Sequence, residues 1–179
     1  MKLLTTLFAT AALAGCSTYA VPRYSVSADN VVALKAVVVN RISVGAFTQA
    51  PIANQSNSEI TCRGVGPIKT PDGEPFADFV KTALASELKI AGVYAPNAPI
   101  QLSGQLNSID FSSVSGAWNL ALTVQSSNGR SLSVTEKYSY TSSYYGETAC
   151  NQTAQALMPA VQDLIAKVVG APDFPSLLK

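Results

Sequence analysis

Histidine is missing from all 179 residues. Its absence takes away the commonest general base and the commonest metal ligand. Charge is scarce too: 13% of residues are charged, 12 Lys and Arg stand against 11 Asp and Glu, and no block of one sign occurs. A net charge of +1 spread so thinly lacks the electrostatic footprint of a nucleic-acid binder. After the first fifteen residues no apolar run is long enough to cross a bilayer, which excludes a polytopic membrane protein. Ten Pro and eleven Gly are ordinary usage and exclude a collagen-like or wholly disordered chain. What the chain has in quantity is apolar residues, 47% of the total, enough for one domain with its own core.

Residues 1–15 read as a targeting segment. Lys2 supplies the positive end, and Leu3, Leu4, Leu7, Phe8, Ala9, Ala11, Ala12 and Leu13 a short apolar stretch. Leu13-Ala14-Gly15-Cys16 follows and resembles the lipobox of bacterial lipoproteins. That resemblance implies cleavage before Cys16 and lipidation of its thiol, with a further acyl chain such as palmitate on the new amine. Several chains on one residue anchor durably, because each buried CH₂ contributes about 0.8 kcal/mol. Ser17, where Asp would signal retention in the inner membrane, implies the outer membrane, periplasmic face. An ordinary cleaved signal peptide, or an apolar helix that stays in the protein, are the alternatives. Loss of residues 1–15 leaves eleven basic and eleven acidic side chains, so the mature body has no net charge to draw it to anionic lipid. Residues 16–28 are expected to form a lipidated polar tether, 29–170 a single periplasmic domain, and 171–179 an extended tail.

Cys62 and Cys150 remain once Cys16 is used. An even number in an exported chain predicts a disulfide, which by loop entropy would contribute about 4 to 5 kcal/mol; two free thiols are the alternative.

Asp29 could cap a helical turn through Val32–Lys35, with extended chain from about Val37 to Phe47. Residues 48–72 are polar and turn-rich and read as a long loop, tied down through Cys62. The spacing of Phe76, Phe79, Val80, Ala83, Leu84 and Leu88 predicts a helix over 75–91, with Lys81, Glu87 and Lys89 off the apolar stripe and Gly92 as its left-handed cap. Leu102, Gly104, Leu106 and Ser108 alternate with polar residues and predict a strand over 100–111. A second long helix is expected over 151–169, with Pro159 kinking it or marking the start of its regular part.

The sharpest local prediction concerns the hairpin at Asn128-Gly129. A two-residue loop would set Val124 opposite Ser133, apolar against polar along the ladder. A three-residue loop, Ser127-Asn128-Gly129, pairs Val124 with Leu132 and Leu122 with Val134 instead. That register places Glu136 opposite Leu120, where the carboxylate must reach the sheet margin or find a partner. The expected architecture is α+β: an antiparallel meander of about four strands with two long helices on one face. Its other face would show Asn119, Thr123, Gln125, Ser131, Ser133 and Thr135, read as plain solvated sheet.

Catalytic sets are hard to find. Ser86 and Lys89 fit S-x-x-K, but they fall late in an amphipathic helix whose neighbour Glu87 reads as solvent-facing, and nothing would desolvate Lys89. Gly64-Val65-Gly66 reads as a turn. Asp72, Glu74 and Asp78 suit the positive end of a helix dipole. Among Tyr138, Tyr140, Tyr144 and Tyr145, the last two fall beyond the strand and are the best candidates for an exposed partner contact.

The mature chain is similar to a group of small, functionally uncharacterised proteobacterial outer-membrane lipoproteins. The likeness is carried by the lipobox, Thr61-Cys62-Arg63-Gly64, Pro71-Asp72-Gly73, Ser126-Ser127-Asn128-Gly129, and Ala149-Cys150 leading to Pro159-Ala160-Val161-Gln162-Asp163. It implies localisation rather than activity. The expected function is a non-enzymatic interaction or assembly module, held to the membrane by its N-terminal lipid and serving an envelope protein partner. No cofactor, metal or nucleic acid is expected. A carrier of a small apolar ligand between sheet and helices is the second reading.

Overall fold

A computed structural model describes residues 18–38, 40–53 and 55–179. The lipobox and Cys16 lie outside the described residues. Three helices, α1 (Ala28–Val37), α2 (Phe76–Ile90) and α3 (Gly146–Gly170), accompany seven strands: β1 (Tyr19–Ala20), β2 (Ile42–Gln49), β3 (Glu59–Cys62), β4 (Gly66–Lys69), β5 (Ile100–Ser112), β6 (Ala117–Ser126) and β7 (Ser131–Ser139). The class is α+β. The main sheet has the order β2-β5-β6-β7, and a smaller one the order β1-β4-β3.

The meander expectation holds for β5, β6 and β7, which are antiparallel, but β2 lies parallel to β5. The reason is the connection. Between β2 and β5 the chain crosses over through α2, and such a crossover returns it in its starting direction. Two helices do pack on the sheet, α2 against β2 and α3 across β6 and β7; α1 lies outside them, against both. Ser27, not Asp29, caps α1, its hydroxyl accepting from Asn30 N–H at 3.5 Å.

The hairpin of β6 and β7 has the register expected from its three-residue loop: Val124 faces Leu132, Leu122 faces Val134 and Leu120 faces Glu136. Gly129 has φ +86°, the left-handed conformation that closes such a loop. Gly92, also left-handed at φ +77°, ends α2 in a Schellman motif, with Val93 N–H bonded to Leu88 O and Gly92 N–H to Lys89 O. In β5 the alternation changes hands. The register shifts between Leu106 and Ser108, so Ser108 points outward and Ile109 and Phe111 take the inner face opposite Leu120 and Trp118.

Three further expectations are corrected. Residues 48–72 contain the β3–β4 hairpin, whose Ile60, Cys62 and Ile68 face inward. From Tyr19 onward the segment expected as a tether is part of the body: β1 pairs with β4, and Tyr19 and Val21 are buried. The tail, expected to be extended, turns into a 3₁₀ helix (Phe174–Leu178) that buries Phe174 and Leu177, because those two side chains have core to fill. Helix α3 starts at Gly146 and continues through Pro159, so the proline does not mark its beginning. Gln155, whose carbonyl Pro159 cannot serve, is exposed to water.

Between sheet and helices the core is filled. Trp118, Phe76, Phe79, Leu84, Leu102, Leu106 and Leu120 are almost fully buried there, and Trp118 Nε1 donates to Thr153 O of α3 at 2.8 Å. Gly104 leaves room for Phe47, whose ring occupies the space a Cβ would take.

Candidate functional site

Cys62 and Cys150 form the expected disulfide, with Cα atoms 5.8 Å apart and both residues fully buried. The bond ties the β3–β4 hairpin to the first turns of α3, and around that junction the loops of one end of the molecule are gathered. Arg63, next to Cys62 in the hairpin turn, has φ +48°, a strained conformation for a side-chain-bearing residue. Its guanidinium offsets that strain by gripping two other loops. Nε donates to Ser113 Oγ at 2.9 Å, Nη1 to Tyr144 O at 3.0 Å, and Nη2 to the carbonyls of Ser113 and Ser143. Ser142 Oγ also donates to Ser113 O, and Ser143 N–H to Gln152 Oε1 at 2.7 Å.

On this frame stand Tyr144 and Tyr145, the residues expected from sequence to be exposed. They are 93% and 75% exposed, and their rings meet edge to face with centroids 6.1 Å apart. Val114, 82% exposed, tops the turn that Arg63 holds through Ser113, and Val65 abuts Gly146. Four of the six large hydrophobic side chains exposed among the described residues therefore sit at this one end. Sequence reasoning found the tyrosines and missed Arg63, Val65 and Val114. The available signal was Arg63-Gly64 directly after Cys62, a turn dipeptide beside a bridging cysteine.

At the opposite end lies a cavity of about 560 Å³, lined by Asn40, Arg41, the 95–100 segment and the C-terminal Leu178 and Lys179. Strand β5 runs from that cavity to the turn carrying Val114, a distance of roughly 40 Å for thirteen residues. A third feature is a shallow groove of about 270 Å³ on the open face of the sheet, between Thr48, Ser103, Gln105, Thr123 and Gln125. Several polar residues of this face pair with one another: Asn107 Nδ2 with Thr123 Oγ1, Thr123 with Ser133, and Asn119 Nδ2 with Asp110.

Ser86 and Lys89 are engaged separately. Ser86 Oγ donates to Thr82 O at 2.8 Å, and Lys89 Nζ stands 5.2 Å from the ring centre of Tyr94. Glu87 corrects the solvent-facing reading: it is fully buried. Its Oε1 accepts from Tyr24 OH at 2.6 Å, Ser27 N–H at 2.9 Å and Asn30 Nδ2 at 3.3 Å, while Oε2 has no protein partner. Burial, then the bond to Glu87 and its charge, push the Tyr24 phenol well above the ordinary tyrosine range. This carboxylate clamps the N-terminal segment and α1 onto α2. Glu136 finds its partner in Lys167 of α3, at 2.9 Å. At the start of α2, burial and then the neighbouring Asp78 and Asp72 raise the Glu74 carboxyl, against Arg23, which pairs with Asp72 at 2.7 Å. Among the described residues no group of three or more Cys, Asp or Glu converges as a metal site requires, and no helix is long and apolar enough to cross a membrane.

No family model and no curated protein matches the chain.

Proposed function

We propose that the protein is a lipid-anchored, non-enzymatic interaction module of the bacterial envelope, attached through Cys16 to the periplasmic face of the outer membrane. The tip formed by Val65, Val114, Tyr144 and Tyr145 is its contact surface, and this exposed apolar cluster is the observation that carries the reading. Isolated apolar side chains on a surface need no explanation, but a cluster held on a disulfide-braced frame does. Aromatic rings with polar ends suit such a contact, since they supply area at small entropic cost. The lipobox supports the attachment and the tip supports the contact. Two experiments test them: Cys16→Ser should release the protein from the membrane fraction, and a photo-crosslinker at position 144 should label an envelope component in living cells. Unchanged fractionation, or a crosslinker that captures nothing, would overturn the reading.

A second reading, a carrier of a small apolar ligand, draws on the end cavity, where Pro96, Ala98, Pro99, Ile100 and Leu178 form apolar walls. The space between sheet and helices, where such a ligand was expected, is occupied by side chains. Native mass spectrometry of protein extracted from membranes tests this reading, which predicts a bound species lost on Ile100→Asp.

A further inference from the structure

We infer that the partner of the apolar tip is the bilayer itself: Val65, Val114, Tyr144 and Tyr145 dip into the interfacial layer of the membrane that carries the Cys16 lipid. The inference rests on the proposed anchoring and adds how the body is oriented on it. Its first support is the path of the chain. β1 is parallel to β4, with Tyr19 beside Ile68 and Ala20 beside Lys69, so the polypeptide enters the fold at the Gly66 end of β4, directly after Val65. The described fold begins two residues after Cys16, and the three chain steps from Cys16 to Tyr19 span at most about 11 Å. A body docked from Tyr19 onward cannot stand off on a tether. Its lipid must enter the membrane close to the end that bears the tip.

The second support is the chemistry of the tip. Tyrosine, apolar at the ring and polar at the hydroxyl, favours the headgroup level, and the side chains of Val65 and Val114 add apolar area beside it. The neighbouring side chains in sequence are mostly small and polar, the serines at 112, 115, 142 and 143, and Glu147 follows two residues after Tyr145 in the first turn of α3. Neither the 560 Å³ cavity nor the sheet groove is lined by any of the four tip residues. With eleven basic and eleven acidic side chains after residue 15, the body has no net charge to draw it to anionic lipid, and the tip supplies the orientation. The same geometry turns the 560 Å³ cavity, with Arg41 and Lys179 in its lining, away from the bilayer.

The test uses the full lipidated protein in vesicles of phosphatidylethanolamine and phosphatidylglycerol, with and without lipids brominated on their acyl chains. Trp118 is fully buried and the only native tryptophan, so a second one reports its own site. Tyr144→Trp and Val114→Trp, both at exposed positions, should shift to the blue and lose emission to the brominated lipid. Val32→Trp, on the exposed side of α1, should do neither. Tip tryptophans as unquenched as the one at Val32, in protein whose acylated Cys16 is verified by mass spectrometry, would overturn the orientation and leave the anchor standing. A bare Cys16 would overturn both. Tip tryptophans that shift only when other envelope proteins are added would assign the surface to a protein and refute the inference.

Discussion

Replacing Glu87 with alanine should destabilise the fold by roughly 3 to 6 kcal/mol, a large part of what a domain of this size possesses. The figure follows from the bonds. Two donors, the Tyr24 hydroxyl at 2.6 Å and the Ser27 amide at 2.9 Å, lose a charged acceptor, and such bonds contribute about 1.5 to 3 kcal/mol each. Asn30 loses a longer bond and keeps its other one, to Gln162 O at 3.0 Å, so it adds little. Relief of the cost of burying a carboxylate draws the net toward the lower end. Glu87→Gln keeps an oxygen for both short bonds but puts an amide N–H₂ where Oε2 has no donor or acceptor, and should cost about 1 to 2 kcal/mol. Urea unfolding reads both, as lower midpoints at unchanged slope. Because the clamp holds one segment, hydrogen exchange should also quicken first in residues 24–34, ahead of the sheet. A Glu87→Ala protein within 1 kcal/mol of the parent, or one whose exchange rises evenly throughout, would refute the clamp.

Reduction of Cys62–Cys150, or its replacement by a pair of alanines, should cost about 4 to 5 kcal/mol by loop entropy over a separation of 88 residues, read as a drop in urea midpoint; a change below 1 kcal/mol would mean the unfolded chain is already constrained. Alkali should weaken the fold through Tyr24. Unfolded, its phenol ionises near pH 10, whereas the folded protein holds the proton to higher pH, so its contribution is full below about pH 10 and falls as pH rises beyond it. Tyr24→Phe should flatten that fall in a melting-temperature series through about pH 11, with Tyr140, raised by its own burial, retaining part of it. Lys167→Ala leaves the buried Glu136 without its cation and should cost about 1 to 3 kcal/mol, whereas Glu136→Leu, opposite Leu120, should be neutral or stabilising; equal losses from both would contradict the pairing.

Short-range rules carried a good deal of this fold. The register of β6 and β7 was legible because side chains alternate with period two and only one loop length sets Leu122 and Val124 opposite apolar partners. The end of α2 was legible in Gly92, and the exposure of Tyr144 and Tyr145 in their position just past a strand. The burial of Glu87 was within reach. It stands seven residues after Val80 and four after Ala83, on the buried stripe, and was set aside only because its side chain is charged.

By itself, then, the sequence determined which segments are helix or strand over most of the chain, how one hairpin pairs, and that Cys62 and Cys150 are partners, since each depends on residues near in the chain or on simple parity. Tertiary structure alone decided that β2 runs parallel to β5, that residues 24–30 are strapped down by a carboxylate about sixty positions away, and that Arg63 draws the loops at 113 and 143–144 together. Those outcomes turn on which surfaces meet when α1, α2 and α3 close over the sheet. A buried donor or acceptor takes whichever partner that closure brings within reach, and no local pattern encodes the choice.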